Sequence, residues 1–180
     1  MTTDLLHRKF EHRFDLLDTD HDGYISQADF TTLADRLIDG IGEPPGSPKS
    51  RALRESKAHY WKSLTGLVDA DNGGRVSRED FAAGLGRCPD ASRISDMVRP
   101  SIEADLALAD RNDDGTVDIA EFTSLYQAIG VPAAEAEEIF RVLDRDGDGA
   151  LTVEEWLTTA MEFFTSTDSK APGNRILGRI

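Results

Sequence analysis

Carboxylates recur at alternate positions in four twelve-residue windows of this chain, each followed by a turn-forming glycine, an arrangement suited to wrapping oxygen atoms around a hard cation. The windows are DTDHDGYISQAD from Asp18, DADNGGRVSRED from Asp69, DRNDDGTVDIAE from Asp110 and DRDGDGALTVEE from Asp144. Each begins with an acid, has Asp or Asn at place three and Gly at place six, and closes with an acid at place twelve. Place eight is aliphatic throughout, as Ile25, Val76, Val117 and Leu151. Phe30, Phe81, Phe122 and Trp156 follow directly.

Calcium takes about six to eight oxygen ligands at about 2.3 to 2.6 Å. Places one, three and five can turn side-chain oxygens inward as the chain curls. Place six needs a backbone conformation that glycine reaches without steric cost. Place seven offers its carbonyl, place nine a side chain or a water, and place twelve a carboxylate from the helix that follows. The third window supplies Asp110, Asn112, Asp114, the carbonyl of Thr116, Asp118 and Glu121. The fourth supplies Asp144, Asp146, Asp148, the carbonyl of Ala150, Thr152 and Glu155. The first supplies Asp18, Asp20, Asp22, the carbonyl of Tyr24, Ser26 and Asp29. Asp29 is a methylene shorter than glutamate, which makes bidentate reach harder and tilts the window towards Mg²⁺. The second window keeps only Asp69, Asp71 and Asp80, has Gly73 at place five, and carries Arg75 beside it. Fewer carboxylates and a looser turn weaken both attraction and chelation, so this window reads as a degenerate loop that packs against the first.

Helices must hold the windows. Phe10, Phe14 and Leu17 form one helical stripe before the first, and Ile139, Phe140 and Leu143 do the same before the fourth. After the loops, Phe122, Leu125, Tyr126 and Ile129 form a stripe, as do Trp156, Leu157, Ala160, Phe163 and Phe164. GIGEPPGSPKS (40–50) breaks helix between the first two units, and RCPDASRISDMVRP (87–100) lies between the halves. The aliphatic place-eight residues are spaced to pair across short antiparallel bridges, Val76 opposite Ile25.

With four such loops the chain resembles the EF-hand proteins. Loop starts separated by 51, 41 and 34 residues, a weak second loop and an apolar tail (Ile176, Leu177, Ile180) resemble one branch, the sarcoplasmic calcium-binding proteins and calerythrin. The resemblance implies an all-α fold of four EF-hands in two pairs, 1–90 and 91–180, forming a compact globule with antiparallel β bridges between paired loops. It also implies about three filled sites and a role as Ca²⁺/Mg²⁺ buffer or carrier. The alternative is a sensor that opens an apolar groove for a partner helix; a coelenterazine-type ligand binder, whose cavity would hold several His, Trp and Tyr, stands further off.

The bulk composition agrees. Of 180 residues, 34 are acidic and 20 basic, a formal net charge of -14 that repels nucleic acid and anionic lipid. A single cysteine, Cys88, permits no internal disulfide and fits a reducing, cytoplasmic setting. No signal peptide or membrane span is expected, and no catalytic constellation is readable among the four histidines. The expectation is a monomeric non-enzyme that binds calcium ions, with no protein partner indicated.

Overall fold

A computed structural model describes residues 2–68, 74–88 and 90–177. Each described helix–loop–helix unit has an incoming helix, a loop and an outgoing helix. The first hand is α1 (Thr2–Leu17) and α2 (Gln27–Ile41), with β1 (Tyr24–Ile25) between them. The second is α3 (Pro48–Thr65) and α4 (Arg78–Gly86), with β2 (Val76–Ser77). The third is α5 (Ala91–Ala109) and α6 (Ile119–Ala128), and the fourth α7 (Ala133–Leu143) and α8 (Val153–Thr165). A 3-10 turn, Pro172–Arg175, follows.

Local chemistry sets the outgoing helices at the place-nine residue. Ser26, Ser77, Asp118 and Thr152 are their N-caps, and in the first, third and fourth hands the place-twelve acid closes a reciprocal capping box. The acid that could grip an ion is thus already fixed in the first helical turn. Place-eight residues pair as the sequence predicts: Ile25 opposite Val76 in the first pair, Val117 bridging Leu151 in the second.

The two halves share one core. α3 lies along α5 and α2 against α6, and α8 packs on both α5 and α1. Phe10 stacks on Phe164 with centroids 6.3 Å apart, joining the first helix to the last. Gly40 allows α2 to touch α6: a Cβ there would stand 2.3 Å from that of Ala128. Lys9 is fully buried, and its Nζ donates to the carbonyls of Phe163 (3.1 Å) and Ser166 (2.8 Å), satisfying the C-terminal end of α8.

Two local expectations change. The stretch 87–100 is not all connector, because α5 begins at Ala91 behind Asp90, whose carboxylate accepts from the Ser92 amide at 2.9 Å. Pro100 stays inside that helix. Proline cannot donate to the carbonyl of Asp96, and His59 Nε2 on α3 donates to that oxygen instead, at 3.1 Å. Ile129 leaves its expected stripe, being the residue where α6 ends, and is 38% exposed.

Candidate metal centre

In the first loop, Asp18 is 3% exposed and points into the loop, its two oxygens accepting from the amides of Asp22 (3.1 Å) and Gly23 (3.0 Å). Asp20 accepts from the Asp22 amide (3.2 Å), and Asp22 from that of Tyr24 (2.8 Å). Gly23 at place six has φ 86°, and Gly115 and Gly149 occupy the same region at 87° and 84°. That left-handed conformation turns the chain back on its own carboxylates. His21 at place four is also left-handed, and its side chain is exposed.

Asp29 reaches further than its length suggests. Its Oδ1 accepts from the amide and hydroxyl of Thr19, both at 2.9 Å, and its Oδ2 from the amide and hydroxyl of Ser26, both at 2.8 Å. These are places two and nine. Glu121 spans the same two places through the amides of Arg111 (3.0 Å) and Asp118 (3.1 Å). Glu155 does so through Arg145 (3.1 Å) and Thr152 (3.0 Å). The shorter acid therefore takes the seat that glutamate takes in the later loops. Burial pushes the Asp29 and Glu155 carboxyls up, but hydrogen bonds from Ser26 and Thr19 in one case, and chiefly Thr152 and Arg145 in the other, outweigh it and hold both below the ordinary range.

The third and fourth loops repeat the pattern. Asp110 accepts from Asp114 (3.2 Å) and Gly115 (2.9 Å), and Asp144 from Gly147 (2.8 Å) and Gly149 (3.0 Å). Asp114 accepts from both the amide (2.9 Å) and hydroxyl (2.8 Å) of Thr116, which hold its carboxyl below the usual range. Asn112 stands beside it, donating to Asp114 at 2.8 Å. Asp118 caps α6, one of its oxygens accepting from Ala120 (2.8 Å) and Glu121 (2.9 Å). Asp146 and Asp148 accept from Asp148 (3.2 Å) and Ala150 (2.8 Å). Carboxylate oxygens of Asp18, Asp20 and Asp22 lie within 4.8 Å of one another, as do those of Asp144, Asp146 and Asp148. The donors are all oxygen and mostly anionic, a set that fits a hard divalent cation.

For the second loop, Asp69, Asp71 and Gly73 fall outside the described residues. Asp80 accepts from the Ser77 hydroxyl at 2.6 Å, within its own first turn. Arg75 turns towards the first loop: its guanidinium lies 4.2 Å from the centroid of the Tyr24 ring and 3.4 Å from Asp22 Oδ2. Lys49 on α3 likewise reaches the third loop, 2.6 Å from Asp113 and 2.5 Å from the Asp110 carbonyl. By sequence Arg75 stands beside its own loop, and nothing in the spacing marks Lys49. The antiparallel pairing of places eight was the available signal for the first; no local spacing points to the second.

The family model for the EF-hand domain pair matches residues 8–85 and 102–161. The chain belongs to the EF-hand family of calcium-binding proteins. Among curated relatives, calerythrin of Saccharopolyspora erythraea is 26% identical over 166 residues, covering 91% of this chain and 94% of its own. A Streptomyces coelicolor calcium-binding protein, solved in connection with prokaryotic calcium-mediated regulation, superimposes with TM-score 0.82 at 30% identity, covering 91% of this chain and 99% of that one. Amphioxus sarcoplasmic calcium-binding protein (TM-score 0.74, 22% identity, 98% of both chains) shares the fold. So does the calcium-loaded apo coelenterazine-binding protein of Renilla muelleri (TM-score 0.75, 23% identity, 99% and 98%).

Proposed function

We propose that this protein is a Ca²⁺/Mg²⁺ buffer or carrier that takes up three ions, in the first, third and fourth loops, through the eighteen positions assigned above from Asp18 to Glu155. The observation that carries the reading is the seating of the C-terminal tail. Ile176 is 4% exposed, the 3-10 turn lies on α7 and α8, and His12 Nε2 donates to the Leu177 carbonyl at 2.8 Å. Gly173 fits where a Cβ would stand 2.6 Å from the Thr159 carbonyl. Ile180, the last apolar residue of the tail, lies outside the described residues. A sensor needs an adaptable apolar groove to open on ion binding, commonly rich in methionine. Here the tail packs on the helices that would form it, Met97 is fully buried and Met161 partly so.

Within each loop the carboxylates repel one another in the ion-free chain, and loop amides offset part of that repulsion. A bound divalent cation supplies the missing positive charge, so ion binding adds to folding stability. Three ions would add six positive charges to a chain of formal net charge -14. Asp29 takes the glutamate seat with an arm one methylene shorter, and the shorter reach from that seat towards an ion favours Mg²⁺ there relative to the later loops. The second loop serves as packing partner for the first, and its Arg75 competes for Asp22. The protein works as a monomer in the cytoplasm and catalyses no reaction. The coelenterazine-binding alternative gains no support from the histidines, since none lines the cavity that lies between residues of both halves and two, His12 and His59, bond backbone carbonyls.

The test is fluorescence of an apolar-surface dye through a calcium titration with millimolar magnesium present. A fall in dye signal as calcium saturates is the expected result. A rise would mean a groove opens, and the buffer reading would give way to the sensor.

A further inference from the structure

A cavity of about 190 Å³ lies between the two halves, walled by residues from both. Three features distinguish it from a packing defect. First, two buried polar atoms of its wall, Arg13 Nε and the Tyr60 hydroxyl, have no hydrogen-bonding partner among the described residues. Leaving such groups unsatisfied costs their full desolvation, and native interiors seldom tolerate it without a purpose. Second, the inner charges do not cancel. Lys57 is paired with Asp105, 2.6 Å away, while Arg13 makes its contact with the face of Tyr60, 5.7 Å from the ring centroid. Burial lowers the Lys57 pKa; Asp105 opposes that fall and the nearby Arg13 adds to it, so two cations share one carboxylate. Third, the large apolar side chains left exposed among the described residues, Leu16 at 43% and Ile129 at 38%, both line this cavity and mark a mouth.

We propose that the cavity binds a small organic carboxylate with a compact apolar body, the carboxylate accepting hydrogen bonds from Arg13 and Tyr60. The apolar wall takes the body, the exposed pair at the mouth admits it, and the anion supplies the charge that Asp105 does not. An apolar cavity of about 150 Å³ accepts benzene, so this volume suits one ring or a short chain bearing a carboxylate. The acidic surface does not forbid entry, because at physiological ionic strength its field is screened over about 8 Å. Arg36 and Glu135, which also line the cavity, are of opposite sign and leave the excess charge to Arg13.

The experiment is calorimetric titration of the full calcium-saturated chain with phenylacetate, and separately with its neutral isostere phenylacetamide. The expected result is saturable one-to-one binding with phenylacetate preferred about tenfold. Arg13→Met should abolish the preference, and Tyr60→Phe, which leaves the ring packing intact, should weaken phenylacetate severalfold while sparing melting temperature and calcium stoichiometry. Equal binding of acid and amide, no saturable binding below about 10 mM, or full affinity in a folded Tyr60→Phe protein would each overturn the proposal and leave the cavity to water.

Discussion

Asp29 shows how one methylene is accommodated. It does by four hydrogen bonds what Glu121 and Glu155 do with longer arms, bracing places two and nine of its loop. Its carboxyl is held below the unfolded value of 3.8, so its stabilisation is present in full above that pH and is lost as pH falls through the lower folded value. Asp29→Asn should therefore destabilise the metal-free protein at neutral pH, with the difference from wild type vanishing in strong acid. Thermal melts in chelator from about pH 7 to about pH 2 read this, and a pH-independent difference would refute it. Arg75 is the second residue of interest, a tethered cation 3.4 Å from a carboxylate that an ion would need. Arg75→Gln should raise calcium affinity at the first loop about two- to fivefold, the worth of one exposed ion pair. Calcium titration with the later loops already saturated would detect it; unchanged or weaker affinity would show that Arg75 supports the loop rather than competing with the ion.

Among the helices, α5 tolerates a proline that should break it. The Asp96 carbonyl loses its partner four residues on, and His59 from α3 replaces that donor. The kink-prone point is thereby tied to the helix α5 leans on most. His59→Leu should cost about 0.5 to 1 kcal/mol in the wild type, the net worth of one hydrogen bond. In a Pro100→Ala background, where the new backbone N–H can serve the Asp96 carbonyl, the same change should cost close to nothing. Denaturant unfolding of the four proteins closes the cycle, and additive losses would show that His59 acts elsewhere.

Across the molecule, the halves are joined through a buried ion pair. Lys57 Nζ on α3 contacts both Asp105 oxygens, at 2.6 and 2.8 Å, and the Ser101 hydroxyl at 2.7 Å, with side-chain exposures of only 5% and 15% for the pair. Lys57→Met alone leaves a buried carboxylate unpaired and should destabilise by about 3 to 5 kcal/mol. Lys57→Met with Asp105→Leu should recover most of that loss. Chemical denaturation of both variants decides it. If the double variant is as weak as the single, the pair carries net stability that apolar packing cannot replace.

The loops are written in local sequence. Ligand types, the place-six turn and the capping acid all fall within twelve residues, where spacing alone dictates geometry, and the place-eight pairing joins two loops through the same place of each repeat. The stripes at Phe10, Phe14 and Leu17 and at Trp156, Ala160 and Phe163 were legible for the same reason, since helical periodicity is also local. The start of α5 was not, because the stretch 87–100 holds two prolines and a single Asp90 cap, and the helix that forms there packs along α3. Three-dimensional packing alone supplied other contacts between residues far apart in the chain: Lys49 with Asp113, Lys57 with Asp105, and the cavity beside Arg13 and Tyr60. No spacing rule encodes these pairs, because each depends on how whole helices lie across one another. That arrangement follows from burying one shared core rather than from any short run of residues.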